Sequence, residues 1–148
     1  MCWAPRLDLA DHISRLSLAD IFIDTWPCNA HTTASDALWA GVPVATFLGE
    51  AFASRVASSL LHAVGLDELI CEGVAGYKDT IKRLALDSAR RATLRDVLVR
   101  ARDTAPLFDS ERFTRDYEAL ILRAHERHVQ GLPVAPLEAL TAEDQAPF

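Results

Sequence analysis

The 148-residue sequence lacks any long hydrophobic run, and no stretch approaches the length of about 20 apolar residues that a membrane-spanning helix needs. The N-terminus also lacks a basic segment followed by an apolar one, the pattern of a secretory signal. Both absences predict an unexported protein with no membrane partner.

Cysteine is scarce, and its spacing excludes two classes of protein. Cys2, Cys28 and Cys71 are odd in number and far apart, so they match neither a disulfide framework nor a CxxC metal site. An AspXAsp metal motif is absent as well. The sequence therefore predicts no structural metal and a location in the reducing cytoplasm.

An excess of positive charge is also absent. Fifteen Lys and Arg against 21 Asp and Glu give a net charge of −6, which argues against binding to nucleic acid or to anionic membranes. Eleven of the 15 basic residues lie between Lys82 and Arg127, but acidic residues are interspersed among them. This pattern favours solvated, ion-paired helix faces over a binding patch, so an anionic ligand requires a local pocket.

The pattern of apolar residues that is present predicts an α/β fold. Short apolar runs of strand length predict strands at residues 21–23, 42–47 and 69–71. Apolar residues at helical spacing predict helices from Asp8 to near Ala19, and at 32–40, 50–64, 77–86, 89–103 and 110–129. Because parallel strands require crossover connections, this alternation predicts a parallel sheet with flanking helices and a helical C-terminus.

A candidate anion site follows the first predicted strand. In open parallel sheets, ligands bind outside the carboxyl ends of the strands, where the loop from Asp24 to Thr33 lies. Thr32 and Thr33 begin the next helix, where unpaired N–H groups and the dipole favour a phosphate, and His31 adds a donor. Asp36 lies one turn further on the same face, placed to accept hydrogen bonds from ribose hydroxyls. The alternative is that a threonine merely caps the helix and His31 is an ordinary loop residue.

Several spaced motifs together resemble the O-GlcNAc transferase family, in its bacterial form. The resemblance runs from about Trp3 to Gly131. The segments that carry it are Ala19–Thr25, Cys28–Thr33, Asp36–Pro43, Gly49–Glu50, Ala53–Ala57 and Pro106–Phe108. It implies the later part of the C-terminal, Rossmann-like lobe of a GT-B enzyme, which transfers a sugar with inversion from UDP-GlcNAc, or a related UDP-sugar, to protein Ser or Thr.

The resemblance also implies roles for individual residues. The diphosphate of UDP would lie on His31, Thr32 and Thr33, and the ribose on Asp36. His12 would stack on uracil, Arg15 would lie near the base, and the backbone at Leu7 would pair with the base edge. No metal or other cofactor is implied, and no catalytic residue is assigned to this chain, because a base would belong to the acceptor-side lobe. The sequence departs from animal members at Leu9, where they carry a lysine.

The resemblance implies a partial Rossmann-like UDP-sugar-binding lobe at residues 1–104 and a C-terminal helix of that lobe at 105–131. Residues 132–148 contain three prolines and no apolar period, which predicts a disordered tail. A doubly wound domain normally begins with its own strand and phosphate-loop turn, so the chain is expected to start within the domain. The rest of the lobe, the acceptor-side lobe and helix repeats are its expected partners.

Two further hypotheses remain open. In the first, the chain is a non-catalytic nucleotide-binding module or an inactive truncated product. In the second, it is a half-domain that docks onto a partner. The latter predicts an exposed apolar sheet edge.

Overall fold

The computed structural model describes residues 3–138, which fall into two compact units, one ending at Phe108 and the other beginning at Asp109. The first contains a three-stranded parallel sheet in the order β1-β2-β3. Its strands are β1 (Phe22–Ile23), β2 (Val44–Phe47) and β3 (Ile70–Cys71). The predicted α/β class is confirmed.

Helices connect these strands and complete the two units. In the first unit they are α1 (Leu9–Leu16), α2 (Thr32–Trp39), α3 (Val56–Ala63), α4 (Gly73–Leu86) and α5 (Ser88–Thr104). Short 3₁₀ turns lie at Phe52–Ser54, Asp67–Leu69 and Pro106–Phe108. Within residues 3–138, no helix is long and apolar enough to cross a membrane.

The core of the first unit lies between the sheet and its flanking helices. The central strand β2 is almost wholly buried, which explains its continuous apolar sequence. Helices α2, α3 and α5 each contribute fully buried leucines, namely Leu38, Leu61, Leu94 and Leu98. Burying one such side chain contributes about 1.5–3 kcal/mol, so these leucines stabilise the core of the first unit.

Several element boundaries differ from the predictions, among them the starts of α3, α4 and β2. The helix predicted from residue 50 begins at Val56, because Phe52–Ser54 forms a tighter 3₁₀ turn. Helix α4 begins at Gly73, four residues before the apolar period becomes visible. Strand β2 begins at Val44 rather than at residue 42, since Pro43 has no N–H to donate and uses only its carbonyl, which accepts from Phe22.

Three arginines of α5 bind the carbonyl ends of other helices. Arg91 donates to Leu84 and Ala85 at the end of α4, at 2.6 and 3.0 Å. Arg95 donates to Ser17 and Ala19 beyond α1, at 3.1 and 2.9 Å, and Arg102 to Trp39 at the end of α2, at 2.8 Å. These three arginines therefore neutralise helix C-termini through main-chain carbonyls. Arg91 and Arg90 also form ion pairs, with Asp20 and Glu68.

The second unit consists of α6 (Ser110–Val129) and the segment after it. Asp109 caps the helix by accepting a hydrogen bond from the N–H of Arg112, at 2.8 Å. Residues 132–138 contain no helix or strand, and Arg127 donates to the carbonyl of Pro133. The rest of the tail for which disorder is predicted, residues 139–148, lies outside the described residues.

Candidate functional site

The N-terminus of α2 is open at the carboxyl end of β1. His31, Thr32 and Thr33 are all exposed there. His31 occupies the N-cap position, and its side chain accepts no hydrogen bond from the helix. The first N–H groups of a helix have no intrahelical acceptor, so this end offers donors to an anion. The alternative that Thr32 or Thr33 caps the helix does not match the structure, because both follow the N-cap.

Asp36 and His12 lie together beside this helix end. The carboxylate Oδ2 of Asp36 is 3.9 Å from Nε2 of His12, and both side chains are partly buried. Helix α1 supplies His12 because Asp8 caps that helix by accepting from the N–H of Asp11, at 3.1 Å. A carboxylate and a flat ring therefore lie next to each other beside the first turn of α2.

Arg15 connects His12 to the segment before α1. One Nη of Arg15 lies 3.4 Å from Nδ1 of His12, and the other donates to the carbonyl of Pro5 at 2.7 Å. The guanidinium thus fixes the segment that contains Leu7 through the carbonyl of Pro5. The side chain of Leu7 is exposed. Leu9 begins α1 and is 70% exposed, so its isobutyl group faces solvent.

The loop between β1 and α2 is organised by Asp24, which is only 6% exposed. Its Oδ1 accepts from the N–H groups of Thr25 and Ala30, at 2.8 and 2.7 Å. Its Oδ2 accepts from the hydroxyl of Thr46 in β2, at 2.6 Å. In addition, the N–H of Asn29 donates to the carbonyl of Ala53 at 2.7 Å. The loop that leads into His31 is therefore fixed at several points.

Tyr77 of α4 holds the same loop from the other side. Its hydroxyl donates to the main-chain carbonyl of Asp24. Burial, followed by the charges of Asp24 and Cys71, raises the pKa of Tyr77 to about 12. The ring packs against Phe47, which stacks on Trp26, with centroid separations of 5.2 and 6.0 Å. An aromatic row thus supports the loop.

The two outer strands of the sheet, β1 and β3, each have one unpaired side in the described part of the chain. β1 lies at the end of the strand order, and Ile23 is 56% exposed. This matches the exposed apolar edge that a half-domain predicts.

Among residues 3–138, no group of three or more His, Cys, Asp or Glu side chains has the arrangement needed to hold a metal ion. Cys28 is exposed beside the loop, and Cys71 is buried, both as free thiols.

Most of the predicted site residues come together in space, at one end of one helix and the adjoining face. Sequence reasoning missed the contributions of Thr46 and Tyr77, which lie 22 and 53 residues from Asp24. The position of Asp24 at a strand end was the one available signal, since strand ends adjoin ligand sites in parallel sheets.

An open helix N-terminus at the carboxyl edge of a parallel sheet is the arrangement used by nucleotide-binding α/β domains. The sequence profile of Glycosyl transferase family 41 matches residues 4–117. The chain therefore belongs to this glycosyltransferase family.

Curated relatives agree with the profile. The chain is 38% identical over 124 residues to the UDP-N-acetylglucosamine–peptide N-acetylglucosaminyltransferase of Caenorhabditis elegans, covering 84% of this chain and 11% of that protein. The probable enzymes SEC of Arabidopsis thaliana and SPINDLY of Solanum lycopersicum are 39% and 35% identical, each over 82% of this chain. The chain spans 13% of each of these two.

A solved structure shares the fold. It is a mutant O-GlcNAc transferase from Thermobaculum terrenum, with a TM-score of 0.66 and 32% identity. The match covers 84% of this chain and 22% of that one. The likeness thus extends over most of this chain but a minor part of the larger enzyme.

Proposed function

We propose that this chain is the donor-binding part of an inverting, metal-independent glycosyltransferase that uses UDP-GlcNAc and glycosylates Ser or Thr of proteins. The observation that carries the proposal is the uncapped N-terminus of α2, with exposed donors beside the pair formed by His12 and Asp36. The names of the relatives, which are UDP-N-acetylglucosamine–peptide transferases, support the choice of donor.

In this proposal the diphosphate of UDP lies on the first turn of α2. The N–H groups of that turn and the side chains of His31, Thr32 and Thr33 supply donors to its oxygens. Asp36 accepts from the ribose hydroxyls, one turn further along the same face. His12 stacks on uracil, while Arg15 keeps His12 and the segment at Leu7 in place for the base edge.

The site would act by stabilising a leaving group. As the bond between the sugar and UDP breaks, negative charge grows on the β-phosphate. Donors fixed at a helix terminus bind that charge more strongly than the ground state, and they need no reorganisation. The chain's own residues therefore hold the departing diphosphate, whereas the acceptor hydroxyl and any base belong to another lobe of the enzyme.

We place the three strands in the Rossmann-like C-terminal lobe of a GT-B enzyme. The acceptor-side lobe, helix repeats and an acceptor protein are the proposed partners, which is consistent with the small share of each relative that this chain spans. A reducing cytoplasm is the proposed location, since Cys28 and Cys71 are free thiols.

A second candidate is a nucleotide-binding module without transferase activity. The observation that favours it is Leu9, an exposed leucine where animal family members carry a lysine, because the site then lacks one cation for the phosphate charge.

Calorimetric titration of the 148-residue chain with UDP and with UDP-GlcNAc, combined with an assay of UDP-GlcNAc hydrolysis, tests both candidates. Saturable binding is expected for both ligands, with GDP as the control that binds more weakly. Hydrolysis would reject the non-catalytic module. If UDP does not bind, both candidates are wrong.

A further inference from the structure

The loop that leads into α2 contains a buried carboxylate whose partners come from three parts of the chain. Asp24 directly follows β1, and its side chain contacts the N–H of the next residue, the N–H of Ala30 and the hydroxyl of Thr46. Thr46 is 1% exposed and belongs to the central strand of the sheet. The carboxylate thus connects the central, buried strand to the residue before the N-cap of α2.

These contacts determine the shape of the loop. A hydrogen bond from Ala30 to a side chain six residues earlier closes the segment into a ring. Inside it, the hydroxyl of Thr25 donates to the carbonyl of Cys28, and the side chain of Asn29 donates to the carbonyl of Thr25. His31 follows this ring directly, so the ring fixes the direction in which α2 starts.

The carboxylate has no cationic partner within residues 3–138, and its charge is balanced by three hydrogen-bond donors alone. A buried carboxylate is costly to keep unless every donor is in place. A threonine cap on α2 would stabilise the helix more simply, but it would occupy the N–H groups that the site presents. Support from Asp24 fixes the loop and leaves those N–H groups free.

We propose that Asp24 is a positioning residue for the nucleotide diphosphate. Its carboxylate, held by Thr46, orients the loop so that His31, Thr32 and Thr33 present their donors to one ligand. Asp24 makes no contact with the ligand. The inference rests on the proposed function, because it presupposes that the N-terminus of α2 binds UDP.

The test compares four variants of the 148-residue chain by UDP titration, each at a temperature where it is fully folded. Asp24→Ala removes all three acceptor contacts and is expected to weaken UDP binding about tenfold. Asp24→Asn keeps Oδ1 as acceptor and donates to the Thr46 hydroxyl instead, so its affinity should stay within about threefold of the parent. Thr46→Val leaves Oδ2 of Asp24 without its donor, so its affinity for UDP should lie between those of Asp24→Ala and Asp24→Asn.

The fourth variant separates positioning from stability. Leu94 is fully buried in α5 and is not a partner of Asp24, so Leu94→Ala, or the milder Leu94→Val, can match the melting temperature of Asp24→Ala. This control should bind UDP as the parent does. Without ligand, hydrogen exchange measured by NMR should quicken at the Ala30 amide in Asp24→Ala but not in the control.

Each contrary outcome has a distinct meaning. If the parent binds UDP and Asp24→Ala binds equally well, the inference is wrong and the proposed function stands. The inference is also wrong if the Leu94 control loses the same affinity, or if Asp24→Asn is as weak as Asp24→Ala. If the parent itself fails to bind UDP, the proposed function falls, and the inference falls with it.

Discussion

The two ends of helix α2 differ in how their polar groups are satisfied. At the C-terminal end, Arg102 donates to the carbonyl of Trp39 and lies over its ring, 5.5 Å from the centroid. There Gly41 adopts a left-handed conformation (φ of 80°), and Val42 donates to the carbonyl of Ala37 at 2.8 Å. At the N-terminal end, His31 caps nothing and the two threonines are exposed.

The difference distinguishes a helix end whose contacts stabilise the fold from one that is available to a ligand. Arginines of α5 also bind the carbonyls at the ends of α1 and α4, so saturation of C-terminal carbonyls recurs in the first unit. Asp8, Asp87 and Asp109 cap the starts of α1, α5 and α6 with their side chains. Helices α2, α3 and α4 lack a side-chain cap. Of these, α2 follows the loop that Asp24 holds at the carboxyl end of β1, and its N-terminus is the one that we propose as the ligand site.

The largest expected effect comes from a negative charge at the open end. Thr33→Glu places a carboxylate in the first turn of α2, where it should stabilise the helix by about 0.3–1 kcal/mol. UDP affinity should nevertheless fall about 100-fold, since the carboxylate repels the diphosphate and occupies its donors. Melting curves and UDP titration measure the two effects, and Thr33→Gln is the neutral control. Unchanged UDP binding by Thr33→Glu would contradict the assignment.

At the C-terminal end of α2, a substitution should lower stability and leave UDP affinity unchanged. Arg102→Ala removes the hydrogen bond to Trp39 and the contact with its ring, so the free energy of unfolding should fall by about 1–2 kcal/mol. UDP affinity should not change. Urea unfolding measures the first quantity. Arg100→Ala, an exposed arginine of the same helix, is the matched control and should change stability by less than about 0.5 kcal/mol. A marked loss of UDP affinity in Arg102→Ala would show that the ends are not independent.

Glycine at the closed end provides a smaller test. Gly41→Ala forces a β-carbon into a backbone with a φ of 80° and should destabilise the chain by about 1 kcal/mol. Gly76→Ala is the control, because a β-carbon there meets no atom closer than 4.0 Å inside α4. That variant should gain about 0.5–1 kcal/mol. Thermal unfolding should therefore show shifts of opposite sign, and a shift of the same sign would contradict the role of Gly41.

The smallest expected effect is on the pH dependence of stability, and it concerns Tyr77, which holds the loop before α2. The pKa of Tyr77 is raised from 10.0 to about 12 in the folded chain, so folding favours the neutral phenol. This contribution to stability is complete below about pH 10 and is lost as the pH rises through about 12. Tyr77→Phe should be less stable at pH 8 but should lose less stability between pH 9 and 11.

Urea unfolding at several pH values measures this effect. Tyr117→Phe, a substitution in the second unit, is the control and should keep the pH dependence of the parent. If the stability of Tyr77→Phe depends on pH as strongly as that of the parent, Tyr77 does not account for the pH dependence.

The sequence predicted the elements best where local signals agree. Helix α6 runs from Ser110 to Val129 as predicted, because Asp109 caps its start and an unbroken apolar stripe follows. The start of α3 was missed because Gly49 lies too close to Ser54 for any larger side chain, an approach that only the folded chain reveals. A β-carbon at Gly49 would come within 2.2 Å of the Ser54 hydroxyl.

The site divides in the same way. His31, Thr32, Thr33 and Asp36 follow from helix geometry, since they lie within two turns of one helix. The pairing of His12 with Asp36 requires two helices to pack, and it is not predicted by the resemblance to a family, which assigns His12 to uracil and Asp36 to ribose. The contacts of Thr46 and Tyr77 with Asp24 could not be predicted from the sequence, because sheet register and helix packing bring those residues to Asp24.

The most direct test of the central claim is a titration of the ¹⁵N-labelled 148-residue chain with UDP, observed by NMR. The amide resonances of Thr32 and Thr33 should shift saturably, whereas those of Trp39 and Gly41 should stay fixed. Saturable shifts that leave Thr32 and Thr33 unaffected and fall instead at another place, such as the cleft of about 260 Å³ lined by Arg83 and Arg90, would contradict the claim. The absence of any shift would contradict it too.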